Sequence, residues 1–596
     1  MADDNRDKWY RLPKLNKRVL ASRMRKVEGA TVRHAHKFVI KRWSNVRDVQ
    51  WHIIGWVLAM GILIAATGLQ LMWYQQSYRT TAPTNDGTYA EAVLGSVDTL
   101  NPLFANSSAE QSVSRLMFSS LLRYDKSGHL NNDLATHVVA SKSNTVYTVN
   151  IRPDIKWHDG VSLTATDVAF TVGLMKNPDV RSTITGWTGI LVKVIDSTTV
   201  QFTLPSVYAA FEHALTFPIV PQHILGSIAP SSIRENSFSQ NPIGSGPFKL
   251  RLVQDVDTNS GRKVIYMARN ESYYGGLAKV ARFQLHIYNT TDEILQALSL
   301  NEVNAAADLA PSDLSHIDTK RYIISSDPIN SGVYAIINTK SATLKDVFVR
   351  RALQYATDTK AIRDKLPVST PALSLPFIDG MLTGNVPSAS KFDLSRAKNI
   401  LNSDGWKLDK NGVRAKKGKE LVLSVVTMKD SEFERVLETL SGQWRALGIT
   451  VETKVVDPTD VSQNVAQSIL QPRNFDVLLY QLNIGADPDV YAYWHSSQAT
   501  PLGSNFSNYS NIIADDALST ARARVEPALR NAKYITFTKQ WLSDVPAIGL
   551  YQSTAQYVRS RSVGVSASPT VLVIPIDRYS DVLNWSVGSR SVYKTP

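Results

Sequence analysis

Three hydrophobic patterns alternate along this chain, and each predicts a different kind of element. The first is an unbroken apolar stretch: the 24 residues from Trp51 to Tyr74, WHIIGWVLAMGILIAATGLQLMWY, carry no formal charge. As a helix rising ~1.5 Å per residue they cross a hydrocarbon core of ~30 Å. Trp51, Trp56, Trp73 and Tyr74 put aromatic rings near both ends, where an interfacial belt takes them. The second pattern has period two. Tyr147, Val149 and Ile151 alternate with Thr148 and Asn150 as a half-buried strand; ILVKVIDSTTVQFTLP from Ile190 reads as two strands about a tight turn at Asp196 to Thr198; FQLHIY from Phe283 is another strand.

The third pattern is helical. Val113, Leu116, Met117 and Leu121 share one face, as do Leu344, Val347, Phe348 and Tyr355, whose helix therefore turns its arginines to solvent. Thr164 with Asp167 makes a capping box. Residues 421–456 form the clearest unit. LVLSVV is a strand, Ser431 with Glu434 caps a helix, and Phe433, Val436, Leu437, Leu440, Trp444 and Leu447 form its apolar stripe. Gly448 ends that helix and ITVETKVV is the next strand. This is a βαβ unit, for which a right-handed crossover is expected.

With 596 residues the chain exceeds one core, and its 43% apolar and 20% charged content is that of a folded protein. It has no cysteine, which excludes disulfides, thiolate metal sites, cysteine nucleophiles and a lipid-attachment cysteine. The net charge of +13 suggests nucleic acid until it is located: residues 1–50 hold 14 Lys and Arg against 5 Asp and Glu, so +9 precedes the apolar span and only +4 remains beyond it. By the positive-inside rule the N-terminus is cytoplasmic and the chain after about Gln75 lies outside. A cleaved signal peptide has a far shorter charged region and an apolar stretch of only ~7–15 residues, so a retained anchor is expected. His34 and His36 form a lone HxH pair, too few for a metal site. GxSxG and Walker A motifs are absent, and GVRAKKGKE at Gly412 to Glu420 lacks the spacing and the Ser or Thr of a phosphate loop.

Several words of the exterior chain, taken together, change the picture. NPLF at Asn101 to Phe104, the block YTVNIRPDIKWHDGVSLTATDVAF with WHDG at Trp157 to Gly160, NPIGSGPF at Asn241 to Phe248, TDEILQALSLNEVNAAADL, SGVYAIINTK and LKDVFVRRALQYATDTKAI occur in this order. The chain resembles the family 5 extracellular solute-binding proteins, the peptide, oligopeptide and nickel receptors of bacterial ABC importers, over roughly residues 88–560. Glu271 and Tyr274 replace the Pro and Trp of one family motif. The resemblance implies an α/β, two-lobed periplasmic-binding-protein-like fold with an extra subdomain, here preceded by one transmembrane helix.

The expected organisation is a basic cytoplasmic segment at 1–50, an anchor at 51–74, a polar tether at 75–87, lobe I at 88–270 with a subdomain inserted at about 125–190, lobe II at 271–490, and a return to lobe I at 491–596. The implied function is a membrane-anchored, extracytoplasmic, monomeric receptor without cofactor, metal or catalysis. It binds short peptides between its lobes and delivers them to a permease; the lipid bilayer is met through residues 51–74. Peptide-binding relatives pair the ligand's α-amine with an acidic residue in the loop after an FDxxLxG strand. Here that loop, Gly485 to Asp489, is short, and Asp487 takes either the amine or the pattern's second, structural position, with Asp489 behind it. Tyr491, Trp494, Tyr334, Asn338 and Trp187 are further candidates for the cleft wall. The WHDG pair His158 and Asp159 is expected to be scaffold. The alternatives are a sensory surface protein of the same fold, or a receptor for a metal chelate or another small solute.

Overall fold

The computed structural model describes residues 43–257, 261–460, 462–565 and 571–593, so most of the basic segment lies outside the described residues. The chain forms two compact units, residues 1–82 with 590–596, and residues 83–589.

In the first unit, helix α1 (Trp43–Tyr78) contains Val49–Tyr74, long and apolar enough to cross a membrane, with its large apolar side chains exposed. It runs past Tyr74 to Tyr78, and strand Arg79–Pro83 follows and pairs with Ser589–Tyr593. A regular strand thus stands where a tether was expected.

The second unit is organised on ten strands. They are β1 (Thr88–Leu94), followed by helix α2 (Ser108–Met117), then β2 (Phe248–Asp257), β3 (Arg262–Arg269) and β4 (Arg282–Tyr288). Helix α3 (Thr291–Ser299) leads to β5 (Ala305–Ala307) and β6 (Tyr322–Ile337); helix α4 (Val347–Ala356) precedes β7 (Val422–Met428), helix α5 (Ser431–Arg445), β8 (Thr450–Val456) and β9 (Val477–Asn483). Helices α6 (Ile512–Arg522) and α7 (Pro527–Asp544) come before β10 (Ala547–Ser560). The sheet order is β8-β7-β9-β6-β10-β5-β1-β4-β3-β2. β7 pairs in parallel with β8 and β9, and β1 in parallel with β4 and β5; the 16-residue β6 and 14-residue β10 run antiparallel to each other through the middle.

Those two strands belong to both lobes. Tyr322 and Val558 pack with Ala92 and Leu298 in one core, whereas Val333, Tyr551, Leu440 and Trp444 share another. The boundaries expected after residues 270 and 490 therefore move to β6 and β10. β4 is held in the first lobe by its pairing with β1, and α6 and α7 stay in the second because Leu518, Phe537 and Trp541 pack against Leu478 and Ile336. Between Pro328 and Gly332 the β6–β10 register slips, leaving Ile329 to Ser331 outside the regular ladder between the cores. A four-stranded sheet, Ala135–Ala140, Val146–Ile151, Thr199–Thr203 and Leu191–Asp196, with helix Ala165–Lys176, packs into the first-lobe core.

Local readings hold with three shifts: α2 ends at Met117, so Leu121 lies beyond the helix whose face it was expected to share. Thr164 and Asp167 do form a capping box, but α5 is capped by Asp430, whose side chain accepts from the Glu432 and Phe433 amides, one residue before the expected Ser431. On α4, Phe348 is exposed and Arg350 buried, the reverse of the expected face. Arg350 donates to the carbonyls of Asp544, Leu344 and Lys345, closing the C-terminal end of α7, so its charge is solvated by backbone instead of water. The WHDG and NPIGSGPF turns pack together: His158 Nδ1 accepts from the Gly244 amide, and Nε2 donates to the Gly246 carbonyl at 3.0 Å. Burial lowers this imidazole to about 4, which keeps the neutral form that the two bonds require. A Cβ on Gly244 would meet the Met117 carbonyl oxygen at 1.9 Å, so the turn can lie on the end of α2 only as glycine.

Candidate functional site in the inter-lobe cleft

In α/β sheets, ligands collect beyond the carboxyl ends of parallel strands, where loops diverge and helix N-termini begin. β1, β5 and β7 all end around one cavity of about 370 Å³, whose wall includes Leu94, Asp308 and Asp430 from those ends. The first turns of α3 and α5 also reach it through Thr291 and Glu432, and the crossing strands contribute Asp327, Ile329 and Ser553. Its volume lies toward the lower end of the ~300–1,000 Å³ usual for ligand sites.

The cavity is acidic. Asp308, Asp327, Asp430 and Glu432 line it, and Arg578 is the one cation in the wall among the described residues. That guanidinium is already engaged: it donates to Glu91 Oε1 at 2.6 Å and to the Tyr579 hydroxyl at 2.7 Å, with the phenol of Tyr579 also on Glu91. Burial raises the Asp327 carboxyl against the Ser325 hydroxyl bond, and burial likewise raises Glu432, opposed by the Tyr551 phenol that donates to it at 2.7 Å. Asp308 stands in a left-handed backbone conformation, φ 63°, and its Oδ2 is buried with no hydrogen-bond partner among the described residues. Gln481, near the end of strand β9, accepts from the Ser553 hydroxyl at the same wall.

The expected amine-binding loop is arranged differently. Both oxygens of Asp487 are taken by Arg530, at 2.8 and 2.7 Å, an end-on pair that fits the structural of the two readings for this residue. His213 of the first lobe stands 4.0 Å from the same carboxylate, with its imidazole lowered by burial. Asp489 faces Arg522 at 3.1 Å, and burial raises its carboxyl in spite of that partner. Arg522 is sandwiched between the rings of Tyr208, from the first lobe, and Tyr491, from the second, at 4.8 and 4.7 Å. The Ala209 amide also donates to the Arg522 carbonyl. The loop thus fastens the lobes to each other at the lip, where Tyr491 borders a second opening of about 380 Å³.

The remaining candidates are packed in cores. Trp187 is 4% exposed among Phe202, Phe211 and Phe217. Tyr334 is fully buried with its hydroxyl on the Leu375 carbonyl, and Trp494 stacks edge-on to Tyr334 and Trp541. Asn338 ties the Arg473 and Phe475 carbonyls to Asn508. Trp187, Tyr334 and Trp494 thus lie in hydrophobic clusters, and the Asn338 side chain is taken up by backbone carbonyls and Asn508. Asp308, Asp327, Glu432, Gln481 and Arg578 escaped the sequence reading. For Asp308 and Glu432 a signal existed: Asp308 directly follows the apolar strand β5, and Glu432 lies in the first turn of the helix after the apolar strand β7, the places where ligands gather.

A sequence profile of the bacterial extracellular solute-binding proteins, family 5 (middle region), matches residues 129–503. The oligopeptide-binding protein AppA of Bacillus subtilis is 27% identical over 488 residues, 79% of this chain and 87% of its own. Among solved structures, NikZ from Campylobacter jejuni in complex with Ni(L-His) superposes with a TM-score of 0.71 at 26% identity, covering 84% of this chain and 99% of its own. AppA from Bacillus subtilis in complex with a nonapeptide shares the fold, with a TM-score of 0.68 at 22% identity over 85% of this chain and all of its own.

Proposed function

The chain belongs to family 5 of the bacterial extracellular solute-binding proteins, and from that premise we propose that it is the membrane-tethered receptor of an ABC importer for short peptides. The family consists of solute receptors rather than enzymes. The observation that carries the reading is the 370 Å³ cavity at the strand ends, spanned by two strands that slip register between the lobes. Such a slip is a place for the lobes to hinge, so that closure encloses the solute and excludes water. Gln481, Ser553 and Glu432 offer an extended peptide side-chain partners, while Asp487 and Asp489 hold the lip through Arg530 and Arg522.

In this reading α1 spans the bilayer once, with the basic segment in the cytoplasm and residues from Pro83 outside, where the monomer meets its permease. One observation favours a second reading, a metal chelate as solute: the likeness to the nickel-chelate-bound structure exceeds 25% identity. Among the described residues no group of three or more His, Asp or Glu is placed to hold a metal ion, so such a chelate would bring its own ligands.

Native mass spectrometry of the full-length chain, released from detergent without unfolding, separates the readings. Co-purified short peptides are the expected result. A metal chelate, or an empty protein whose melting temperature no peptide raises, overturns the peptide reading.

A further inference from the structure

Resting on that receptor reading, we propose that Asp308 is the residue that receives a protonated amine of the solute, and that the receptor selects cationic solutes. The ammonium site is thereby placed on the first lobe, at the end of β5, and not in the loop after β9.

Two independent observations converge. The loop carboxylate is occupied, since Arg530 takes both oxygens of Asp487. Asp308, by contrast, presents to the cavity a carboxylate whose Oδ2 is shielded from bulk water and has no hydrogen-bond partner. A buried acceptor left without a donor is costly unless something supplies one, and an ammonium supplies both donor and countercharge. Arg578 is close enough to act on Asp308 through its charge but supplies it no hydrogen bond, because its donors reach Glu91, Tyr579, Ser112 and the Pro575 carbonyl.

The rest of the cavity decides the sign of the solute. Helix N-termini ordinarily favour anions, but α3 begins with Asp292 and Glu293 and α5 with Asp430 and Glu432, so their positive ends are already matched. Asp327 and Glu432 add further carboxyls while Arg578, the one cation in the wall among the described residues, is spent on Glu91, so an anionic solute would meet repulsion in a low-dielectric space. A second positive group on the solute finds Glu432 and Asp327 across the cavity.

Asp308→Asn is the variant of choice. Asparagine accepts the left-handed backbone that Asp308 holds at φ 63°, keeps the shape of the side chain, and loses only the charge. The full-length chain in detergent micelles is titrated calorimetrically with trilysine, trialanine, N-acetyl-trialanine and triglutamate. Wild type should bind trilysine tightest, lose at least tenfold on acetylation of trialanine, and not bind triglutamate. Asp308→Asn should weaken trilysine at least tenfold and abolish the difference between trialanine and its acetylated form, with the melting temperature kept. Equal binding of all four probes by both proteins, or triglutamate as tight as trilysine, overturns the amine site while leaving the peptide receptor standing. Failure of wild type to bind any of the four overturns the receptor reading, and the amine site with it.

Discussion

Two groups of carboxylates face the space between the lobes, and they differ in what holds them. Asp487 and Asp489, in the loop after β9, each have an arginine from the second lobe, and Arg522 reaches on to Tyr208 across the lip. Asp308, Asp327 and Glu432, around the cavity, have hydroxyl hydrogen-bond partners or none among the described residues, and Arg578 acts on Asp308 only through its charge. A carboxylate paired within the protein contributes to geometry, since its charge is already matched; one left unpaired in a cavity retains affinity for a cation from outside. The comparison separates residues that set how the lobes close from residues that set what they close on.

The sharpest way to break the comparison is to remove a partner from each group. Arg530→Ala leaves Asp487, with a side chain 12% exposed, without its bidentate cation, and should lower unfolding stability by about 3 kcal/mol in urea titrations. Asp308→Asn should not lower it, because no hydrogen bond among the described residues holds the buried Oδ2 that it replaces. Equal losses at the two positions would mean that both carboxylates are structural.

A smaller effect is expected at the lip. Tyr208→Ala removes the first-lobe ring from Arg522, a contact worth ~0.5–1 kcal/mol, and so should raise the open-to-closed ratio by about two- to fivefold. Small-angle scattering without ligand reads this as a larger radius of gyration, at an unchanged unfolding midpoint of each lobe. An unchanged radius would place the lobes' closure elsewhere.

Much of the fold was legible because it is local. The βαβ unit at 421–456, the strand pair about Asp196 to Thr198 and the Thr164 capping box follow from spacing within a few residues, and all are present. What periodicity does not carry is partnership between distant residues. Apolar neighbours alone turn Arg350 to solvent, yet its carbonyl partner on Asp544 lies 194 residues away. Tyr334, Trp494 and Trp187 are large amphipathic rings near family landmarks, and only the register of β6 and the packing of two cores show them turned inward. Asp487 was legible as an acid in the right loop, whereas the Arg530 that occupies it comes from a helix 43 residues on. The cavity carboxylates come from three separate stretches of chain, so no single word in the sequence could announce them.

The smallest effect tests whether the cavity charge is unmatched, and it appears as a slope rather than a shift. Burial raises the Glu432 carboxyl, so the folded chain holds that proton more tightly than the unfolded one. Its contribution to stability is therefore fully present below the ordinary carboxyl value and is lost as pH rises through the raised one. Glu432→Gln cannot titrate, and its urea midpoint should gain on wild type as pH rises from about 4 to about 8. Parallel curves would show that Glu432 is already compensated inside the protein. Saturating trilysine sharpens the outcome: an ammonium beside the carboxylate favours its charged form, lowering the raised value and flattening the wild-type slope toward that of the variant. A slope indifferent to trilysine would place the bound cation away from Glu432, and the selection of charge would then rest on Asp308 and Asp327 alone.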